Sequence, residues 1–143
     1  SSEGIFRVLS NSLYMLNKDM SGHFFDASFH MFTFLGKLLL HQGLFPLRDS
    51  CCFCGEQLRL STAINLVASQ GGFSCDSCSS LNENKYLGGV EMLRALDLVA
   101  RVEFRDFVPS KDVNKSLSWS LFDYFCYQYQ LSPNSFKTLR HLG

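Results

Sequence analysis

Apolar residues recur every three or four positions along most of this chain, the spacing of helices that bury one face. Ile5, Leu9, Leu13 and Leu16, with Phe6 beside them, predict a helix over 4–19, and "KDMSGH" breaks it. A stronger pattern follows over 24–42, where Phe25, Phe29, Phe32, Leu35 and Leu39 line one face. Phe24, Phe34, Leu38 and Leu40 make the other faces apolar too, which predicts a central, buried helix. Gly43 suits the residue just past its end, and Pro46 follows three positions later.

The period changes after residue 57. "LRLSTA" and "INLVAS" alternate or run as strands do, and "SQGG" supplies a turn. Helical spacing resumes near Tyr86 and runs to about Arg101, with Leu93, Leu96 and Val99 as core candidates and Gly88 and Gly89 weakening its start. Pro109 and Ser110 break the chain. A last long helix is expected over 111–130, carrying Leu117, Leu121, Tyr124, Phe125 and Tyr129; "LSPNSF" turns, and "SFKTLRHL" predicts a short terminal helix. No repeat or low-complexity linker interrupts this plan. The fold class expected is mainly α: one helical bundle over 1–143, with a small four-cysteine zinc-binding β insert at 49–80.

Composition narrows the function. The chain has 143 residues, 14 of them Phe, which is enough for one domain with a sizeable core. Lys plus Arg and Asp plus Glu are 13 each, so no strongly basic face is imposed and the chain alone is not an obvious strong DNA binder. No apolar run reaches the roughly 18 residues of a membrane span; "FHMFTFLGKLLL" is shorter and carries His30 and Lys37. No signal peptide is visible.

The six cysteines are not spread as a disulfide framework would be. Cys51 and Cys54 form one CxxC pair and Cys75 and Cys78 a second, with 55–74 between them. A CxxC turn presents two sulfurs to one ion, and two such turns brought together by a hairpin supply four soft ligands in a tetrahedron. Zn²⁺ prefers that set, and four cysteines leave no open position for water or substrate. One structural Zn²⁺ in a reducing cytoplasm is therefore expected. Gly55 suits the first turn. Four thiolates around one Zn²⁺ carry about −2 in total, which Arg48 and Arg59, close in sequence, are placed to soften. Cys52, one residue from a proper knuckle spacing, is expected to stand aside, and Cys126, between Phe125 and Tyr127, to be a buried inert thiol.

Nothing else reads as an active site. His23, His30, His41 and His141 are dispersed, Asp26 and Glu91 are single acids on helices, and no HExxH, GxSxG, GxGxxG or GxxxxGK[ST] motif occurs. The Phe stripe at 25, 29 and 32 reads as core before base-stacking platform, and Trp119 as packing before partner anchor. Lys111, Lys115, Lys137 and Arg140 are candidate cations for an acidic peptide or phosphates, against the plainer reading of a solvated face.

The order of parts then resembles a known family. A Phe/Leu-rich helix runs into "LLLHQGLFPLRDSCCFCG"; a β insert and a second CxxC follow, and the close is "LFDYFCYQYQLSPNSFKTL". This resembles the C-terminal helical region of the bacterial DNA repair protein RecO, with Leu38, Gly43, Pro46, Leu47, Cys51, Cys54, Gly55, Cys75, Cys78 and Ser135 at matching places. The likeness covers nearly the whole chain, and "GLFPLRDSCCFCG" is its most specific part. It implies a non-enzymatic recombination mediator of the RecF pathway. Such a protein binds single- and double-stranded DNA, RecR and the C-terminal tail of single-stranded DNA-binding protein (SSB), and promotes strand annealing and RecA loading. The family carries an N-terminal OB-fold, the main DNA-binding part; none is expected before Gly4. Two other classes compete: a thiol redox protein using Cys51 and Cys54, and a zinc-ribbon interaction adaptor without a nucleic-acid role.

Overall fold

The computed structural model describes residues 27–58, 64–81, 88–102 and 115–130. The expected helices over 4–19 and 135–142, and most of "LRLSTA", lie outside them. Among the described residues the chain runs α1 (Ala27–His41), β1 (Asn65–Val67), a 3-10 turn (Ala68–Gln70), β2 (Gly72–Ser74), α2 (Asp76–Leu81), α3 (Val90–Arg101) and α4 (Lys115–Gln128). The fold is mainly helical with a small two-stranded sheet.

α1 is the central helix that its apolar pattern predicts, although Leu40, near its end, is exposed rather than buried. Phe29, Phe32, Leu35 and Leu39 are buried, and Phe34 and Leu38 pack partly buried against the same core. It ends as expected at Gly43: the N–H of Gly43 donates to Leu40 and that of Leu44 to Leu39. These two bonds make a Schellman motif, and Leu44, against the core, supplies its apolar contact. α3 begins at Val90, after the glycine pair rather than at Tyr86, with Glu91 in its first turn and Arg101 in its last, the polarity a helix dipole favours.

α1 packs most extensively on α4 and also on α3. Gly36 permits the second contact, since a Cβ there would sit 2.7 Å from Val99 Cγ1. Phe29 and Phe32 therefore face helices, so they are core and not a stacking platform. Two buried hydroxyls are satisfied within this packing: Ser118 Oγ donates to the Ser28 carbonyl at 2.6 Å, and Thr33 Oγ1 to that of Phe29 at 3.0 Å.

The hairpin belongs to the same core. β1 and β2 are antiparallel, with Leu66 opposite Phe73, and both side chains are fully buried among the helical residues. Tyr124 Oη donates to the Leu44 carbonyl at 3.1 Å and Gln128 Nε2 to that of Ala68 at 2.8 Å, so α4 grips both the exit of α1 and the hairpin turn. Burial holds the Tyr124 phenol far above its ordinary range, so it stays a neutral donor.

Candidate metal centre

Three stretches of backbone bring the cysteines together. Leu47 runs beside β2: its N–H donates to Gly71 at 2.9 Å, and its carbonyl accepts from Phe73 at 3.1 Å. Gly72 makes this approach possible, because a Cβ there would meet Leu47 Cβ at 3.0 Å and its carbonyl oxygen at 3.1 Å. The chain then folds back on itself. Ser50 bridges Gln57, the Cys51 N–H donates to Glu56 at 2.7 Å, and the Gly55 N–H donates to Cys51 at 3.0 Å. Gly55 takes a φ of 78°, the left-handed region where a side chain is disfavoured, so the expected turn residue does its expected work.

The second pair arrives differently. Cys75 follows β2 directly, and Cys78 stands in the first turn of α2. The insert is therefore not purely β, as the sequence suggests: its second cysteine pair leads into a short helix. The Ser79 N–H donates to Cys75 at 2.8 Å, and the Ser79 hydroxyl meets that of Ser74 at 2.6 Å, fixing that turn to the strand.

The result is one cluster. The sulfurs of Cys51, Cys54, Cys75 and Cys78 all lie within 4.8 Å of one another. Cys54 Sγ and Cys75 Sγ, from different pairs, are 3.7 Å apart. Zn–S bonds of about 2.3 Å in a tetrahedron place sulfurs about 3.8 Å apart, so the donor set fits a metal ion in chemistry and in size. None of the six cysteines is in a disulfide.

Backbone N–H groups mark Cys51 as the anchor. Its sulfur accepts from the amides of Cys75 (3.3 Å), Phe53 (3.4 Å) and Cys54 (3.5 Å). Burial pushes this thiol up, but those donors more than offset burial and bring it down to about 6. Its neighbours move the other way. Hydrogen bonding to Cys75, with desolvation behind it, pushes Cys78 up to about 12. For Cys54, the Glu56 amide pulls the thiol down, but sharing with the sulfurs of Cys51 and Cys75 leaves it raised. Four thiolates this close repel one another, so Cys54 and Cys78 hold their protons more tightly until a cation replaces them.

This pattern does not favour Cys51 and Cys54 as a redox dithiol. Such a pair needs an exposed sulfur with a depressed pKa, yet here the depressed thiol, Cys51, is 3% exposed, and the exposed one, Cys54, is raised.

Cys52 lies outside the four-sulfur group. Burial, then the negative Cys51 beside it, push its thiol up to about 11. Its backbone is not idle, however: the Cys52 N–H donates to the Phe73 carbonyl at 2.8 Å and sets the first turn against β2. Side-chain patterns carry no signal for such a main-chain bond. Arg48 has partners that the sequence does not show. Its guanidinium pairs with Asp97 on α3 at 2.7 Å and lies 4.9 Å from the Phe45 ring centre, so it ties the entry of the insert to the body. Cys126 is fully buried, as expected.

Of the four candidate cations, Lys115 opens α4 and is exposed, while Lys111, Lys137 and Arg140 lie outside the described residues, as does Arg59. His30, His41 and Glu91 are exposed, and Trp119 packs edge-on against Phe122 at 5.6 Å. Among the described residues no helix is long and apolar enough to cross a membrane.

No curated protein and no solved structure matches the chain. Among known families, residues 1–140 match the one described as "Recombination protein O C terminal". That match spans the helices, the hairpin and both cysteine pairs, and agrees with the resemblance carried by "GLFPLRDSCCFCG"; the chain belongs to the Recombination protein O C-terminal family.

Proposed function

We propose that this chain is the zinc-stabilised helical part of a recombination mediator, with Cys51, Cys54, Cys75 and Cys78 holding one structural Zn²⁺. A role in recombination and DNA repair comes with the family, and its members act as mediators rather than as enzymes. The observation that carries the metal reading is the four-sulfur cluster within 4.8 Å. Zn²⁺ when bound supplies cross-linking and charge compensation; the four thiols give up their protons to hold it. Cys51, buried and met by three amides, fixes the site, while the Cys75 amide joins the two pairs even before an ion is counted.

In this reading 1–143 acts as one helical domain and 49–80 as its zinc-pinned insert. The helical body offers surfaces to RecR and to the acidic, apolar-ended SSB tail, with Lys111, Lys115, Lys137 and Arg140 as the cations that meet the tail. Single- and double-stranded DNA is engaged mainly through the OB-fold that accompanies this region in the family, and annealing and RecA loading in the cytoplasm follow from the assembled protein. The test has two arms. Mass spectrometry of natively purified protein is expected to give one zinc per chain, lost to a strong chelator with release of four thiols. Fluorescence anisotropy with an SSB tail peptide is expected to show binding that weakens with salt and with Lys115→Glu. A metal-free protein with full stability overturns the first arm, and a salt-independent or absent signal the second.

A further inference from the structure

We propose that Cys54 is a site of hydroperoxide oxidation and that its product is a disulfide to Cys75, which replaces the metal cross-link between the two cysteine turns by a covalent one. This inference rests on the zinc reading above. It starts from unequal access. Cys51 is buried with three N–H groups on its sulfur, whereas Cys54 is exposed at the tip of its turn. A small oxidant reaches Cys54 first, and in the metal-bound state Cys54 is a thiolate whatever its pKa as a free thiol.

The second requirement is a resolving sulfur. Cys75 Sγ lies 3.7 Å from Cys54 Sγ, and Cys75 is only half-buried. Its main chain is pinned on both sides, by β2 before it and by the Ser79 N–H on its carbonyl. The chemistry balances with hydrogen peroxide as oxidant. The Cys54 thiolate attacks one peroxide oxygen; an S–O bond forms, the O–O bond breaks, hydroxide leaves, and the sulfur has given up two electrons as a sulfenic acid. The Cys75 thiolate then attacks that sulfur; an S–S bond forms, the S–O bond breaks, and a second hydroxide leaves. Two thiolates remain, Cys51 and Cys78, too few to hold the ion in a closed site.

The consequence is particular to this pairing. A Cys51–Cys54 disulfide would close one turn on itself and leave the two turns independent. The Cys54–Cys75 disulfide spans the hairpin, so the insert stays closed after the metal has gone. Chelation and oxidation both strip the ion, but only oxidation leaves a cross-link.

The test uses the full chain as purified, with its metal content measured first. Stoichiometric hydrogen peroxide is added, zinc release is followed with a chromogenic chelator, and disulfides are mapped by non-reducing peptide mass spectrometry. The expected result is one zinc released per peroxide consumed, a Cys54–Cys75 cross-linked peptide, and full zinc rebinding after dithiothreitol and zinc are added. Cys52→Ser is expected to leave release and cross-link unchanged; loss of either overturns the proposal, because Cys52 is then the reacting thiol. A dominant Cys51–Cys54 or Cys75–Cys78 disulfide, or sulfinic acid at Cys54 without a cross-link, also overturns it. Zinc-free protein at the first step overturns the metal reading itself, and is distinguished from a wrong pairing because the latter appears only after peroxide.

Discussion

Phe32, Leu35, Leu39, Leu96, Leu121 and Phe122 are fully buried among helices, whereas Cys54, Gly55 and Glu56 at the tip of the insert stand in solvent. The helical body is held by apolar area removed from water, a non-directional term spread over many side chains. The tip of the insert has no such area to bury. It is held by a few directed contacts: three amides on one sulfur, two backbone bonds to Leu47, and a four-sulfur cluster of a size that can hold a cation. The base of the insert is of the first kind, since Leu66 and Phe73 lie in the helical core. The boundary between the two modes of stabilisation thus runs through the hairpin and not around it, and damage on either side should stay on that side.

The sharpest break is metal removal. Structural zinc contributes on the order of 10 kcal/mol of apparent binding free energy in small zinc domains, so chelation or Cys51→Ser is expected to abolish zinc binding. Amide exchange in 49–58 and 75–79 should then rise steeply while helical circular dichroism is kept. Loss of the helices along with the zinc would show that the two regions are not separable. Phe122→Ala tests the opposite side. A fully buried aromatic cut to Ala costs about 3–5 kcal/mol, so denaturant melts should show global destabilisation with zinc stoichiometry unchanged at low denaturant.

Gly72→Ala probes the boundary itself. The added methyl meets Leu47 at 3.0 Å, and overpacking of this kind costs about 1–3 kcal/mol. Both zinc retention under competing chelator and overall stability are expected to fall, unlike in the two preceding variants. Tyr124→Phe removes the donor to the Leu44 carbonyl and should cost about 1 kcal/mol in urea melts. Smallest is Arg48→Ala. Its partner Asp97 is 45% exposed, so the pair contributes about 0.5 kcal/mol and less in high salt; a loss above about 2 kcal/mol would mean that Arg48 has a larger role than a tie.

Much of this division could be read in advance where it depends on side-chain type. The period of α1, its stop at Gly43 and the two CxxC spacings are all properties of residue identity, and each appears as read. What was illegible depends on the main chain or on distant partners. The Cys52 amide bonds Phe73 through backbone, which any residue but proline supplies. Arg48 meets Asp97 only because α3 packs where it does. The helix that begins at Asp76 is six residues long, too short to display a period, and its serines favour turns as readily as helices. The late start of α3 has a similar origin. Gly89 and Gly88 precede it, and the Gly88 carbonyl is occupied by the Leu66 N–H at 2.9 Å, which binds that residue to the hairpin instead of to the helix.

The Ser118–Ser28 hydrogen bond, which joins α4 to α1, also has a meaning in time. A ribosome adds about 5–20 residues per second, so the helix that α1 packs on most extensively emerges several seconds after α1 itself. During that interval Phe29, Phe32 and Leu35 lack the apolar cover that α4 provides. The cysteine turns, by contrast, are made from residues 51–78 and can close while α4 is still unsynthesised. Early capture of an ion there would clamp the hairpin that carries Leu66 and Phe73, giving the waiting face of α1 a first apolar surface to rest against before α4 is made.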